Sequence, residues 1–283
     1  MILVIYFRKI INKEDGKRFK EKFFINIDNL EKIDRDKKKL IWFHAASIGE
    51  INSIKPLLKE LEDYNKNLIF LLTTVTISSG RIVEKELVNN KNIFHQYFPL
   101  DIFHVSNNFL RKWKPDIAIF VDSEIWPNFI FQIKKRNIPL ILLNARITKK
   151  TFKKWRILKN FSKKIFSCFD LCLSSSKESQ NNLSQLGAKK ILFYGNLKFS
   201  VQDKSLKIKK ENKEIFDKKK VWLASSTHEG EELISIKTHI LLKKNYNNIL
   251  TIIAPRHISR VKKISYLVEK MNLNCQILND KDL

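Results

Sequence analysis

The sequence predicts an α/β protein built on a doubly wound parallel sheet. Two observations carry that prediction. From residue 40 onward, short apolar runs alternate with amphipathic stretches. The runs are also nearly continuous in apolar character, as in strands buried on both faces of a parallel sheet. Hydrophobic residues make up 43% of the 283-residue chain, enough to build a real core despite 29% charged residues.

Residues 40–46 read as the first strand, and residues 49–61 as the helix after it. Ile51, Ile54, Leu57, Leu58 and Leu61 fall on one helical face. Further buried strands are predicted at 68–74, 117–121, 140–144, 171–173 and 191–194. From Gln202 to Lys220 the chain is polar and lysine-rich, so residues 201–220 read as a linker. The alternation restarts with strands at 221–225, 249–254 and 275–278, with a helix after each of the first two. Four segments follow: a basic N-terminal segment 1–39 for which membrane contact is one reading, a Rossmann-like domain 40–200, the linker, and a partial second Rossmann-like domain 221–283.

The formal charge is +25. Lysine is spread along the whole chain, which marks compositional bias rather than a patch. Such a surface attracts polyanions at low salt. Nucleic-acid readers interleave basic residues with exposed aromatics or carry a known module, and neither occurs here, so no specific nucleic-acid partner is expected. Cys168, Cys172 and Cys275 form neither a zinc pattern nor a disulfide framework. No apolar run reaches the 18 or so residues that a spanning helix needs. Residues 1–7 are apolar and are followed by Arg8, Lys9 and Lys13. Two readings stand for them: a packed or frayed terminus, or shallow insertion with the cations at anionic headgroups.

In open parallel sheets ligands bind at the carboxyl ends of the strands. At the first exit Ser47 caps the next helix, with Glu50 at capping-box spacing. Glu50 therefore reads either as a cap partner or as a carboxylate that takes a proton from a hydroxyl. At the exit near 121, Asp122 and Glu124 are unusual so close to a buried strand, because carboxylates there need partners. Arg146, at the next exit, is the expected partner of Glu124. Arg256 and His257 follow the strand at 249–254 and suit a phosphate clamp. Glu229, Glu231 and Glu232 suit a first helical turn, where acidic residues satisfy the helix dipole without further function.

Taken in order, the segments HAASIGE (44–50), TTVTISSG (73–80), DSEIWPN (122–128), NARIT (144–148), GNLKF (195–199), SSTHEGEE (225–232) and APRH (254–257) resemble one family. They are similar to the 3-deoxy-D-manno-octulosonic acid (Kdo) transferases of lipopolysaccharide core biosynthesis. The resemblance runs from about residue 8 to about residue 265. It implies a GT-B glycosyltransferase at the cytoplasmic face of the bacterial inner membrane, held there peripherally. The implied donor is CMP-Kdo and the implied acceptor a lipid A precursor (lipid IVA). Transfer would invert the anomeric carbon, with no metal and no cofactor.

On the same resemblance, Glu50 matches the family's general base. Ser47 and Gly49 share its segment, Glu124 and Trp126 match family positions, and Arg146 lies in the matching NARIT segment. Gly195, Asn196 and Lys198 match a further cleft segment. Ser226, Thr227, His228, Glu232, Pro255, Arg256 and His257 match donor-side positions. Family members continue well beyond residue 283, so the second domain is expected to be partial. An inactive remnant or fragment of such a transferase is the alternative.

Overall fold

The structure is a computed structural model that describes residues 2–11, 14–24, 38–87, 90–199 and 216–278. By internal contacts the chain divides into two units, Met1–Gln202 and Asp203–Leu283. The expected linker lies largely outside the described residues.

The first unit is built on a seven-stranded parallel sheet in the order β3-β2-β1-β4-β5-β6-β7. Its strands are β1 (Lys39–His44), β2 (Leu68–Thr74), β3 (Ile93–Tyr97), β4 (Ile117–Val121), β5 (Leu140–Ala145), β6 (Leu171–Ser174) and β7 (Ile191–Phe193). The order reverses between β1 and β4, and that switch point is where open α/β sheets place their ligands. Its helices are α1 (Ile2–Ile10), α2 (Ile48–Tyr64), α3 (Ile77–Glu86), α4 (Phe103–Trp113), α5 (Pro127–Lys135), α6 (Lys149–Ile157), α7 (Lys159–Phe166) and α8 (Lys177–Leu186).

Why these runs form strands is visible in their burial. Every residue of β2 is buried, and all of β1 except Lys39. Successive side chains point to opposite faces of a strand. Trp42 therefore joins Phe98, Phe109, Phe120 and Phe129 on one face, while Ile41 and Phe43 join Ile51, Ile54 and Leu58 of α2 on the other. Trp42 anchors the aromatic side, with its ring centre 4.7 Å from that of Phe109 and 5.2 Å from that of Phe120. Its indole N–H is satisfied by Thr73 Oγ1 at 2.9 Å.

β3 carries no continuous apolar run. It is one of the sheet's two edge strands, and His95 and Gln96 interrupt its pattern. Residues Arg18–Phe23 form a 3-10 turn that covers this edge. Glu21 accepts the Tyr97 N–H at 2.8 Å, and Arg18 donates to the His95 carbonyl at 3.1 Å. An uncovered edge is a template for pairing with other chains. Part of the basic N-terminal segment thus belongs to this sheet edge. Among the described residues no helix is long and apolar enough to cross a membrane. In α1, Ile5 is buried while Phe7 and Ile10 are exposed.

The second unit contains β8 (Lys220–Thr227), α9 (Glu231–Lys243), β9 (Ile249–Pro255) and α10 (Val261–Lys270), with β8 and β9 parallel. The strand expected at 275–278 does not form; these residues run without pairing, and Ile277 and Leu278 are exposed. A short apolar run becomes a strand only where an edge accepts it.

Candidate functional site

The β1 exit delivers Glu50. Ser47 is the N-cap of α2, and its hydroxyl oxygen accepts the Glu50 N–H at 3.4 Å. The Glu50 carboxylate turns back over the helix start. Its Oε2 accepts the Ala46 N–H at 2.7 Å and its Oε1 accepts the Ser47 hydroxyl at 2.8 Å. This is a variant of the capping box, since the backbone donor lies one residue before the cap. Cap partner and candidate base are therefore one side chain in one position. Glu50 is 9% exposed. Burial pushes its carboxyl up to about 7; the two hydrogen bonds oppose the shift, and the nearby charges of Glu124 and Asp122 add to it. A Cβ built on Gly49 would meet nothing within 4 Å, so the helix start is open at that exposed position.

Across the switch point stands the β4 exit. Asp122 holds a left-handed backbone, φ 62°. Its carboxylate accepts from Lys198 Nζ at 3.0 Å and from the Ser123 hydroxyl at 3.0 Å. Glu124 does not pair with Arg146. Its Oε2 accepts the Trp126 indole N–H at 2.8 Å and lies 3.1 Å from His44 Nε2. Arg146 is exposed, and its backbone rather than its guanidinium joins the site, donating N–H to the Asp122 carbonyl at 3.2 Å. His44, wholly buried at the end of β1, outcompetes the guanidinium because it already faces the β4 exit. Although burial alone raises a carboxyl, the His44 and Trp126 partners hold Glu124 below its usual range.

Asn144, at the β5 exit, is also left-handed at φ 54°. Its side-chain oxygen accepts the Leu197 N–H at 3.0 Å. That bond brings the 195–199 segment over the strand ends, where Lys198 meets Asp122. Gly195 takes φ 99°, a conformation that side chains other than glycine's disfavour. Two strained non-glycine residues at neighbouring exits fit the tendency of such strain to gather at functional sites. Ser47, Gly49, Glu50, Glu124, Arg146, Gly195, Asn196 and Lys198 thus all lie at or beside one rim of the first unit's sheet.

In the second unit, Ser226 is left-handed at φ 56°, and the register of β8 against β9 shifts there. The Arg256 N–H donates to the Thr227 carbonyl at 3.0 Å, so the β8 and β9 exits lie side by side. Arg256 and His257 are exposed, as are Ser226 and His228. Glu232 is different. It is buried and already held, by the Thr227 hydroxyl at 3.1 Å and by Arg260 at 2.8 Å. Arg260 was not singled out in the sequence, nor was His44; a polar residue inside an apolar strand run was the available signal for His44. Among the described residues no group of three or more His, Cys, Asp or Glu side chains is placed to hold a metal ion.

Comparison with known proteins places these segments. The family described as "3-Deoxy-D-manno-octulosonic-acid transferase (kdotransferase)" matches residues 17–201. The chain belongs to the Kdo transferase family. It is 34% identical over 266 residues to the 3-deoxy-D-manno-octulosonic acid transferase of Rickettsia bellii, covering 93% of this chain and 61% of that protein. It is 29% identical over 235 residues to the enzyme of that name from Haemophilus influenzae, covering 81% of this chain and 55% of the relative. The chain thus spans less than two thirds of either relative's length.

Among solved structures, UDP-GlcNAc 2-epimerase from Neisseria meningitidis bound to UDP-GlcNAc superposes with a TM-score of 0.57 at 19% identity, covering 86% of this chain and 72% of that one. The same enzyme from Rickettsia bellii gives 0.51 at 18%, covering 81% and 67%. This likeness concerns the fold alone, the GT-B architecture.

Proposed function

We propose that this chain transfers Kdo from CMP-Kdo to a hydroxyl of a lipid A precursor, with Glu50 as the general base. A single observation carries the reading. Glu50 is a buried carboxylate at the sheet's switch point with its carboxyl pushed up to about 7. A base serves best when its pKa lies near the working pH.

An alcohol is a poor nucleophile at neutral pH. As the acceptor oxygen attacks the anomeric carbon, Glu50 takes its proton, and the bond to CMP breaks on the opposite side. One displacement inverts the configuration and leaves CMP carrying the electron pair. The Ala46 N–H and Ser47 hydroxyl hold the carboxylate in place, and the open space at Gly49 admits the acceptor. Glu124 and Asp122 keep the base from becoming too weak by raising its proton affinity.

On the donor side, Arg256 and His257 are assigned to the CMP phosphate, where a planar guanidinium suits phosphate oxygens. Ser226, Thr227, His228 and Pro255 shape the same exit. Glu232 acts through Arg260 rather than on the donor. The reading needs no metal or cofactor, and it places the chain peripherally at the cytoplasmic face of the bacterial inner membrane, where a phosphorylated acceptor resides.

The test is CMP release from CMP-Kdo in the presence of the lipid A precursor. Release by the wild-type chain that depends on acceptor supports the reading. A folded wild-type chain that releases no CMP contradicts turnover by this chain.

A further inference from the structure

No acidic residue lies between Glu124 and Asp170, while residues 149–164 carry eight Lys or Arg, half of their positions. Across the whole chain the share is 54 of 283, so the segment stands well above the general lysine bias. All eight are exposed, and among the described residues none forms an ion pair with an acidic side chain. They sit on α6 and α7, which meet at Leu158.

The local energetics are unfavourable without an external anion. Lys149 and Lys150 occupy the first turn of α6, where the helix dipole disfavours cations. Lys149 and Lys153, and Lys150 and Lys154, are like-charge pairs at i,i+4. No residue of α6 is buried. Its partly buried Phe152 and Trp155 pack against the core, the latter 5.4 Å ring to ring from Phe166.

Apolar side chains stand exposed at the same elbow. Ile157 is 82% exposed and Leu158 55%. Phe161 of α7 lies 6.2 Å ring to ring from Phe131 of α5, and both are exposed. Exposed aliphatics and aromatics ringed by unpaired cations suit the boundary between headgroups and acyl chains. A solvated basic face needs no apolar tip, and a nucleic-acid surface gains little from aliphatic ones.

We propose that the α6–α7 elbow docks the chain on an anionic phospholipid bilayer, with Ile157 and Leu158 entering the interface and the eight cations meeting the headgroups. This site differs from the N-terminal membrane contact that is one reading of residues 1–39. α6 begins just past Arg146, at the rim that carries Glu50. Only the use of that placement, presenting the cleft to a lipid-borne acceptor, rests on the transferase reading.

The test is co-sedimentation of the full chain with vesicles of phosphatidylcholine, with and without phosphatidylglycerol. Binding is expected to the anionic vesicles only and to weaken with salt. Reversing Lys150→Glu, Lys153→Glu and Lys154→Glu together is expected to lower partitioning by at least about a hundredfold, since each cation contributes roughly fivefold. Reversing Lys243→Glu, Lys244→Glu and Lys270→Glu gives the same net charge and is expected to leave most binding intact. A fluorophore on Ile157→Cys, in a Cys275→Ser background, is expected to shift to the blue on binding. Circular dichroism checks that each variant folds.

Equal loss from both lysine sets overturns the placement. So does wild-type binding by the elbow variant, or loss confined to Phe7→Ser and Ile10→Ser in α1. Binding without a fluorophore shift overturns insertion, and a lipid-free dimer that the elbow substitutions dissolve assigns the face to a second copy. Vesicle binding by a chain that releases no CMP leaves the docking surface standing and removes only the transferase reading.

Discussion

His44 Nε2 lies 3.1 Å from Glu124 Oε2. His44 Nδ1 faces the Thr73 carbonyl at 3.2 Å and Thr73 Oγ1 at 3.0 Å. The Thr73 hydroxyl gives its own proton to the Phe43 carbonyl at 3.3 Å, so Nδ1 meets only acceptors and carries a hydrogen. On the far side the Trp126 N–H points at both His44 Nε2 and Glu124 Oε2. These partners hold the Glu124 carboxyl below its usual range, and its negative charge acts on Glu50.

Replacing His44 with Phe keeps the stack on Phe98, whose ring centre lies 3.8 Å away, and removes the hydrogen bonds. Glu124 then takes up a proton more readily, and less negative charge acts on Glu50. The acid limb of CMP release is expected to move to lower pH, with a stability loss of about 1–3 kcal/mol for the unpaired buried groups. An unmoved limb in a folded variant contradicts the coupling.

Lys198→Met acts in the opposite direction. It frees the Asp122 carboxylate from its 3.0 Å partner and adds uncompensated charge near Glu50. The acid limb is expected to move to higher pH. A pH–rate profile checks the sign, and a downward shift contradicts it.

Glu50 also leaves a signature in stability. Its folded value, about 7, lies above the ordinary 4.5, so the folded state favours the protonated form. The associated stability is present below the ordinary value and is lost as pH rises through 7. A full shift of that size corresponds to about 3 kcal/mol, and the solvent that reaches the side chain reduces this to about 1–2 kcal/mol. Glu50→Gln keeps an acceptor for Ala46 and removes the charge. The variant is expected to melt increasingly above wild type between about pH 5 and pH 8, with the gap level at higher pH. Parallel melting curves contradict the raised value.

In the second unit, Arg260→Met strands the Glu232 carboxylate, whose side chain is 2% exposed. The loss is expected to be about 3 kcal/mol, read as faster amide exchange in β8 and α9. Adding Glu232→Gln is expected to restore part of it. Unchanged exchange in the single variant contradicts a structural role for the pair.

Much of the fold was legible because buried parallel strands write themselves as apolar runs. β1, β2, β4, β5 and β8 were predicted to within a few residues. β3 was not, since an edge strand covered by Arg18 and Glu21 tolerates His95 and Gln96. The 275–278 run misled for the converse reason: alternation was present without a pairing edge. At the site, Ser47 and Glu50 were readable because capping is local in sequence. Glu124 was readable as a carboxylate in need of a partner, but the partner was not. Choosing His44 over Arg146 requires knowing that β1 and β4 are neighbours, a fact set by sheet order rather than by spacing.

The most direct measurement is the pH dependence of acceptor-driven CMP release by wild type and Glu50→Gln. The account predicts an acid limb near pH 7 in wild type, set by the Glu50 carboxyl. It predicts a rate lowered by about 10²–10⁴-fold in a variant that still folds. Undiminished release by folded Glu50→Gln, with the same limb, would contradict Glu50 as the base.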